Sequence, residues 1–165
     1  MRKYVVRCLF STIAMIVGCS TLGPSYTPIK SIPEGQSLIY IFYPLNPKIP
    51  AENPTFYILN AGEPIVKLEK GGYFPYFVQP GKLTLTSKVA FKYGVSGALD
   101  VVASPENSIT LQVRKGQTYY IEGVVYADFG FFREFGLGLN QVSDEFQAQL
   151  MLEECKQLPK YVPPK

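Results

Sequence analysis

Read by its apolar and polar positions, the chain divides into a short N-terminal apolar block, a proline-rich stretch and a long series of strand-length patterns. The block runs from Leu9 to Val17 behind Arg2, Lys3 and Arg7. It is shorter than the about 20 residues that a bilayer crossing requires, and matches the charged start and apolar centre of a secretory signal. Ser20 to Gln36 carry Pro24, Pro28 and Pro33 without periodicity. They read as a tether whose extended length, at about 3.1 Å per residue, is at most roughly 50 Å, with the alternative that part of it lies along the domain. Leu38-Ile39-Tyr40-Ile41-Phe42-Tyr43 then forms an unbroken β-branched and aromatic run ended by Pro44, the pattern of a central strand buried on both faces.

Further strands follow at short intervals. Asn46 to Pro54, with three prolines, predicts an irregular loop, and Phe56-Tyr57-Ile58-Leu59 restarts a strand. Asn60-Ala61-Gly62 turns it into Ile65 to Glu69, where Val66 and Leu68 share one face and Lys67 and Glu69 the other, a hairpin signature. Lys70-Gly71-Gly72 reverses the chain into Tyr73 to Val78, and Pro75 marks that strand as an edge or as broken. Gln79-Pro80-Gly81-Lys82 reads as a type II turn. Leu83, Leu85 and Val89 alternate with Thr84, Thr86 and Lys88, and Lys92 to Ser104 reads as a loop with one brief strand. Ile109, Leu111 and Val113 alternate with Thr110, Gln112 and Arg114, and Lys115-Gly116-Gln117 predicts a second hairpin into Thr118 to Tyr126. Phe135 to Val142 supplies a last strand. Asp144 with Gln147 fits a helix N-cap and its box partner, with Phe146, Leu150 and Met151 as the buried stripe. Pro159, Pro163 and Pro164 end regular structure. The fold class is therefore all-β: an antiparallel β-sandwich with a short C-terminal α-helix.

Composition narrows what such a fold can do. Without residues 1–18 the chain has 147 residues, one domain's worth, with 13 basic and 13 acidic side chains. The formal +3 charge thus belongs to the leader, and a nucleic-acid partner, which needs a persistent positive field, is not expected. The chain has no histidine, which removes Ser-His-Asp and Cys-His nucleophile systems and leaves zinc or copper no ligand cluster. Neither a metal nor a cofactor is expected. Of the cysteines, Cys8 leaves with the leader, and Cys155, with no histidine in the chain to lower its pKa, reads as a structural thiol ahead of a reactive one.

Ile16-Val17-Gly18-Cys19 resembles the lipobox of bacterial lipoproteins in spacing and in distance from the N-terminus. The resemblance implies that Ile16, Val17 and Gly18 are recognised by a signal peptidase and that Cys19 carries a diacylglyceryl thioether and becomes the first mature residue. Two or more acyl chains hold a protein stably, whereas a single chain is marginal. Ser20 stands where an aspartate usually signals inner-membrane retention, which favours an outer-membrane anchor facing the periplasm. The alternatives are an ordinary signal peptide and a plain membrane anchor. The domain also resembles small bacterial lipoproteins with an uncharacterised PEGA-like β-sandwich. The matching residues are Ile39 to Pro44, Gly72-Tyr73, Pro80-Gly81-Lys82 and Gly116-Gln117-Thr118-Tyr119-Tyr120-Ile121. An immunoglobulin-like or PEGA-like sandwich is implied, and no catalytic residue is carried over. Phe42-Tyr43-Pro44 departs from relatives that have a basic residue before the proline.

Residues 1–18 are thus read as signal peptide, 19–36 as tether, 37–158 as sandwich with terminal helix and 159–165 as tail. Asp144-Glu145 and Glu153-Glu154 are adjacent carboxylates explained by solvation, and Gly136-Leu137-Gly138 lacks the third glycine of a phosphate loop. Phe129, Phe131, Phe132 and Arg133 crowd one loop. They are read either as a contact for a partner or membrane, or as a plug over the open end of the sandwich. Tyr40, Tyr57, Tyr73, Tyr76, Tyr119 and Tyr120 raise glycan binding, against the alternative that strand tyrosines simply pack with the hydroxyl at the rim. The expected function is a non-enzymatic, lipid-anchored envelope module that contacts an envelope protein or peptidoglycan. A carbohydrate-binding module is the alternative, and a small hydrolase ranks below both.

Overall fold

The computed structural model describes residues 23–45, 55–90, 107–127 and 135–163. Among the described residues, nine strands form two sheets: β1 Ser37–Tyr43, β2 Thr55–Asn60, β3 Glu63–Leu68, β4 Gly72–Val78, β5 Gly81–Ala90, β6 Asn107–Val113, β7 Thr118–Ala127, β8 Phe135–Val142 and β9 Lys156–Gln157. One sheet has the order β8-β7-β1-β4-β9 and the other β3-β2-β5-β6. Helix α1, Glu145–Glu153, links β8 to β9.

The central position of β1 follows from its composition, since each of its seven residues is buried. Ile39, Ile41 and Tyr43 point between the sheets, where they meet Phe56, Ile58, Val66, Leu68 and Leu85. Leu38, Tyr40 and Phe42 point the other way, into a second layer with Tyr73, Tyr120, Ala148, Leu152 and Cys155. The molecule is thus a sandwich with a third layer: the five-stranded sheet is covered by the second sheet on one face and by α1 with the N-terminal segment on the other. Among the described residues no helix is long and apolar enough to cross a membrane.

Three expectations are corrected. The five-stranded sheet is mixed and not purely antiparallel, because β1 runs parallel to β7, with Leu38 opposite Thr118 and Phe42 opposite Glu122, and β4 runs parallel to β9. The hairpin expected around Lys115-Gly116-Gln117 is instead a corner between sheets: β6 pairs with β5, and β7 pairs with β1 and β8. Alternation sets which side chains share a face but carries no information about the partner strand. The helix stripe is Ala148 and Leu152, both fully buried, with Met151 partly buried against the same layer, while Phe146 and Leu150 are 72% and 48% exposed. The tyrosines beneath α1 occupy most of the space, so small residues give the closest approach. Of the two courses open to the tether, the stretch from Gly23 onward follows the second and lies along the domain. Tyr26, Ile29 and Ile32 pack into the second layer at a spacing of three, which places them on one side of an extended proline-rich chain.

The local signals fare better. Asn60-Ala61-Gly62 closes the β2–β3 hairpin with φ of 50° at Ala61 and 84° at Gly62, the pair of positive values that a type I′ turn needs. Pro75 pairs opposite Tyr40 of β1. Its other side shares the edge on which Tyr73 accepts from Leu158, beyond the end of β9, so the missing N–H costs no ladder bond. The expected loops over Asn46 to Pro54 and Lys92 to Ser104 lie outside the described residues.

Candidate functional site

The β6–β7 corner is fastened to the start of β1. Gly116 N–H donates to the Gln36 carbonyl at 2.9 Å, Leu38 N–H to Gln117 at 3.0 Å, and the Ser37 hydroxyl to the Arg114 carbonyl at 2.6 Å. Gly116 sits at φ 74°, a conformation that suits glycine. Beyond the corner, Tyr119 is locked at its hydroxyl, which accepts from Arg114 N–H at 2.9 Å and donates to the Gln112 carbonyl at 3.2 Å. Tyr120 points to the opposite face and stacks on Tyr40 with centroids 5.6 Å apart. Its hydroxyl donates to Glu145 Oε1 at 3.0 Å, and Gln149 Nε2 donates to the same oxygen at 3.0 Å.

β7 extends past its neighbour. Its pairing with β8 begins at Tyr120 opposite Val142, so Thr118 and Tyr119 have no partner on that side. There β8 turns away into α1 and leaves a cleft of about 520 Å³. It is lined by Gln112 of β6, by Arg114 and Gln117 of the corner, by Tyr119 and Tyr120 of β7, and by Gln141, Ser143 and Glu145 of the β8–α1 link. Burial raises the Tyr120 phenol above its ordinary value, and the Glu145 carboxylate raises it further against an opposing bond from Gln149. The phenol therefore stays protonated, as a donor, at neutral pH. Lys67 pairs with Glu69 just past the end of β3, and Glu145, the carboxylate that lines the cleft with Arg114, is engaged by Tyr120 and Gln149.

The residues singled out in the sequence divide sharply. Ile16, Val17, Gly18 and Cys19, and likewise Phe129, Phe131, Phe132 and Arg133, lie outside the described residues. Tyr40 and Tyr73 are buried in the second layer, each in a T-shaped contact with Tyr26, and line a separate hollow of about 310 Å³ with Pro24, Ile29 and Pro75. Tyr57 meets Tyr161, and the Tyr76 hydroxyl accepts from Asn60 at 2.9 Å, a link between the two sheets. Only Tyr119 and Tyr120 reach the cleft. The carboxylates also have local work, because Asp144 Oδ1 accepts from Gln147 N–H at 3.1 Å and caps α1. Gly136 faces Tyr126 across the ladder, where a side chain would collide with the phenol, so its role is packing and not phosphate binding.

Cys155 is fully buried, and desolvation, followed by the charge of Glu154, pushes its thiol up to about 12. A thiol held that high is no nucleophile at neutral pH. Among the described residues, no group of three or more His, Cys, Asp or Glu side chains could hold a metal ion. The polar cleft residues Gln112, Gln117 and Gln141 escaped the sequence reading because they are ordinary exposed strand and turn positions until the corner and the β8–α1 link are brought together. Searches of family models, curated proteins and solved structures returned no match to this chain.

Proposed function

We propose that the protein is a non-enzymatic binding module of the bacterial cell envelope, a lipoprotein held through Cys19 at the periplasmic face of the outer membrane, of the PEGA-like or immunoglobulin-like sandwich kind. The observation that carries this reading is where the chain joins the domain. Gly23 N–H donates to the Gln157 carbonyl at 2.7 Å, and Gln157 N–H donates back to Pro24 at 2.9 Å. Gly23 follows Cys19 by four residues. At about 3.3–3.6 Å per extended residue, the domain edge stands within roughly 14 Å of the lipidated residue. The lipobox then delivers a close-held module, not one on a long leash. An envelope protein or peptidoglycan is the partner class that such a position serves, and the high pKa of Cys155 supports binding over thiol chemistry.

The Cys19→Ala variant tests the anchor. It is expected to leave the membrane fraction for the soluble one after a high-salt wash, while the parent chain stays with the membranes. A variant expressed at the parent level that still sediments with membranes would end the lipid-anchor reading. The carbohydrate reading is favoured by a separate observation, the polar cleft with Tyr119 fixed in it.

A further inference from the structure

We infer that the cleft between the β6–β7 corner and the β8–α1 link is a saccharide-binding site for a glycan that bears carboxylate groups, with Arg114 as its carboxylate contact. The inference deepens the envelope-module reading and rests on it for the choice of ligand.

Volume and lining set the ligand class. About 520 Å³ lies within the range of small-ligand sites, about 300–1,000 Å³. Such sites are ordinarily apolar with a few polar groups, and this one reverses the proportion, with Leu111 and Val142 its only aliphatic side chains. An apolar ligand or hydrophobic peptide would find little to bury there. A nucleic acid would need a row of cations along its phosphates, and the cleft holds Arg114 alone.

Gln112, Gln117 and Gln141 each offer an amide that both donates and accepts. Sugar hydroxyls likewise do both, so amide and hydroxyl satisfy one another without a charge. The three amides and the Arg114 guanidinium make no side-chain hydrogen bond among the described residues, so none of them must break a bond to receive a ligand.

Rigidity is supplied where a sugar ring needs it. The two bonds at the Tyr119 hydroxyl hold the phenol against the backbone at the end of β6, and a lining side chain fixed in advance loses little conformational freedom on binding. The Tyr120 and Glu145 pair is fixed in the same way on the opposite side. Arg114 and Glu145 give the site two opposite charges. The carboxylate is already engaged by Tyr120 and Gln149, which leaves the guanidinium as the open charge. A ligand that complements this arrangement carries hydroxyls and amides along its length and a carboxylate at the Arg114 end. Acetylated amino-sugar strands with carboxylate substituents, the chemistry of peptidoglycan, have those groups.

The test is calorimetric titration of the detergent-solubilised full-length chain with two probes: the neutral tetramer of N-acetylglucosamine, and soluble peptidoglycan fragments carrying carboxylates. The parent is expected to bind the acidic fragments saturably and more tightly than the neutral tetramer. Arg114→Gln is expected to weaken the acidic fragments about tenfold, the loss of one charge-assisted hydrogen bond, and to change the tetramer less than twofold. Gln141→Ala is expected to weaken both probes. Lys160→Gln, which removes an exposed cation of the C-terminal tail, should leave both unchanged. Arg114 and Gln141 are exposed, so the variants should keep the parent circular dichroism spectrum. Absence of saturable binding to either probe, or binding that Arg114→Gln and Gln141→Ala leave untouched, would overturn the assignment. Equal weakening of the two probes by Arg114→Gln would overturn the carboxylate contact. The anchor reading fails separately, through the fractionation of Cys19→Ala, which no titration result can imitate.

Discussion

Glu122 lies on β7 opposite Phe42 and Asn140, half-buried, and desolvation raises its carboxyl above the ordinary value. A carboxyl whose folded value exceeds its unfolded one favours folding when protonated, and that advantage disappears as the pH rises through the folded value. Glu122→Gln is therefore expected to raise the urea midpoint at pH 7 and leave it unchanged at pH 3. Equal shifts at both pH values would mean that burial of the charge is not the cause. At this scale the sequence was legible wherever chemistry is local. The Asp144 cap needs only its own neighbours three residues on, and Asn60-Ala61-Gly62 needs only its dihedral angles. Gln112, Arg114 and Gln141 were not legible as a site, since their proximity arises from the meeting of two distant segments.

The lesson of α1 is about which apolar residues a helix buries. Its sequence offers Phe146 and Leu150 as one stripe and Ala148 with Leu152 as another, and hydrophobicity alone favours the larger pair. The surface beneath decides otherwise, because Tyr40, Tyr73 and Tyr120 already fill the layer and leave room for an alanine, a leucine and a cysteine. Leu152→Ala should accordingly cost about 2–5 kcal/mol in urea unfolding, whereas Phe146→Ala should fall within about 0.5 kcal/mol of the parent. A reversed order would mean that the helix packs through its bulky stripe. Strands show the same division of knowledge. Their positions follow from alternation and turn residues, as with Phe135–Val142, but the sheet each one joins is fixed by packing across the molecule. Lys115-Gly116-Gln117 therefore looked like a hairpin and is a corner.

Viewed whole, segments far apart in the chain meet at the β4 edge of the five-stranded sheet. Gly23 to Ser25 run beside β9, which pairs with β4, with Ser25 bridging Lys156, and farther on Tyr161 N–H donates to Ile65. Tyr26 is the principal fastening of the N-terminal side, edge-on to both Tyr40 and Tyr73 at 5.4 Å. Tyr26→Ala should cost about 3 kcal/mol or more, in line with the removal of a large aromatic from a packed layer. It should also speed amide exchange at Gly23 and Ile29 while leaving the β2–β3 hairpin protected. Uniform exchange across both sheets would show that this segment is no separate unit. Few sequence features announce this arrangement, since a proline-rich stretch reads as a linker unless its target face is known.

The parallel union of β1 with β7 also bears on how the chain comes into being. Leu38 finds Thr118 only after 80 further residues have been made. At a synthesis rate of about 5–20 residues per second, that is a wait of roughly 4 to 16 s. Throughout it, Ser-Leu-Ile-Tyr-Ile-Phe-Tyr, without a charge or a proline, meets the description of an aggregation-prone window. The segment that ends as the best-protected strand begins as the newborn chain's chief hazard, and a holding chaperone should engage it before any other part of the domain.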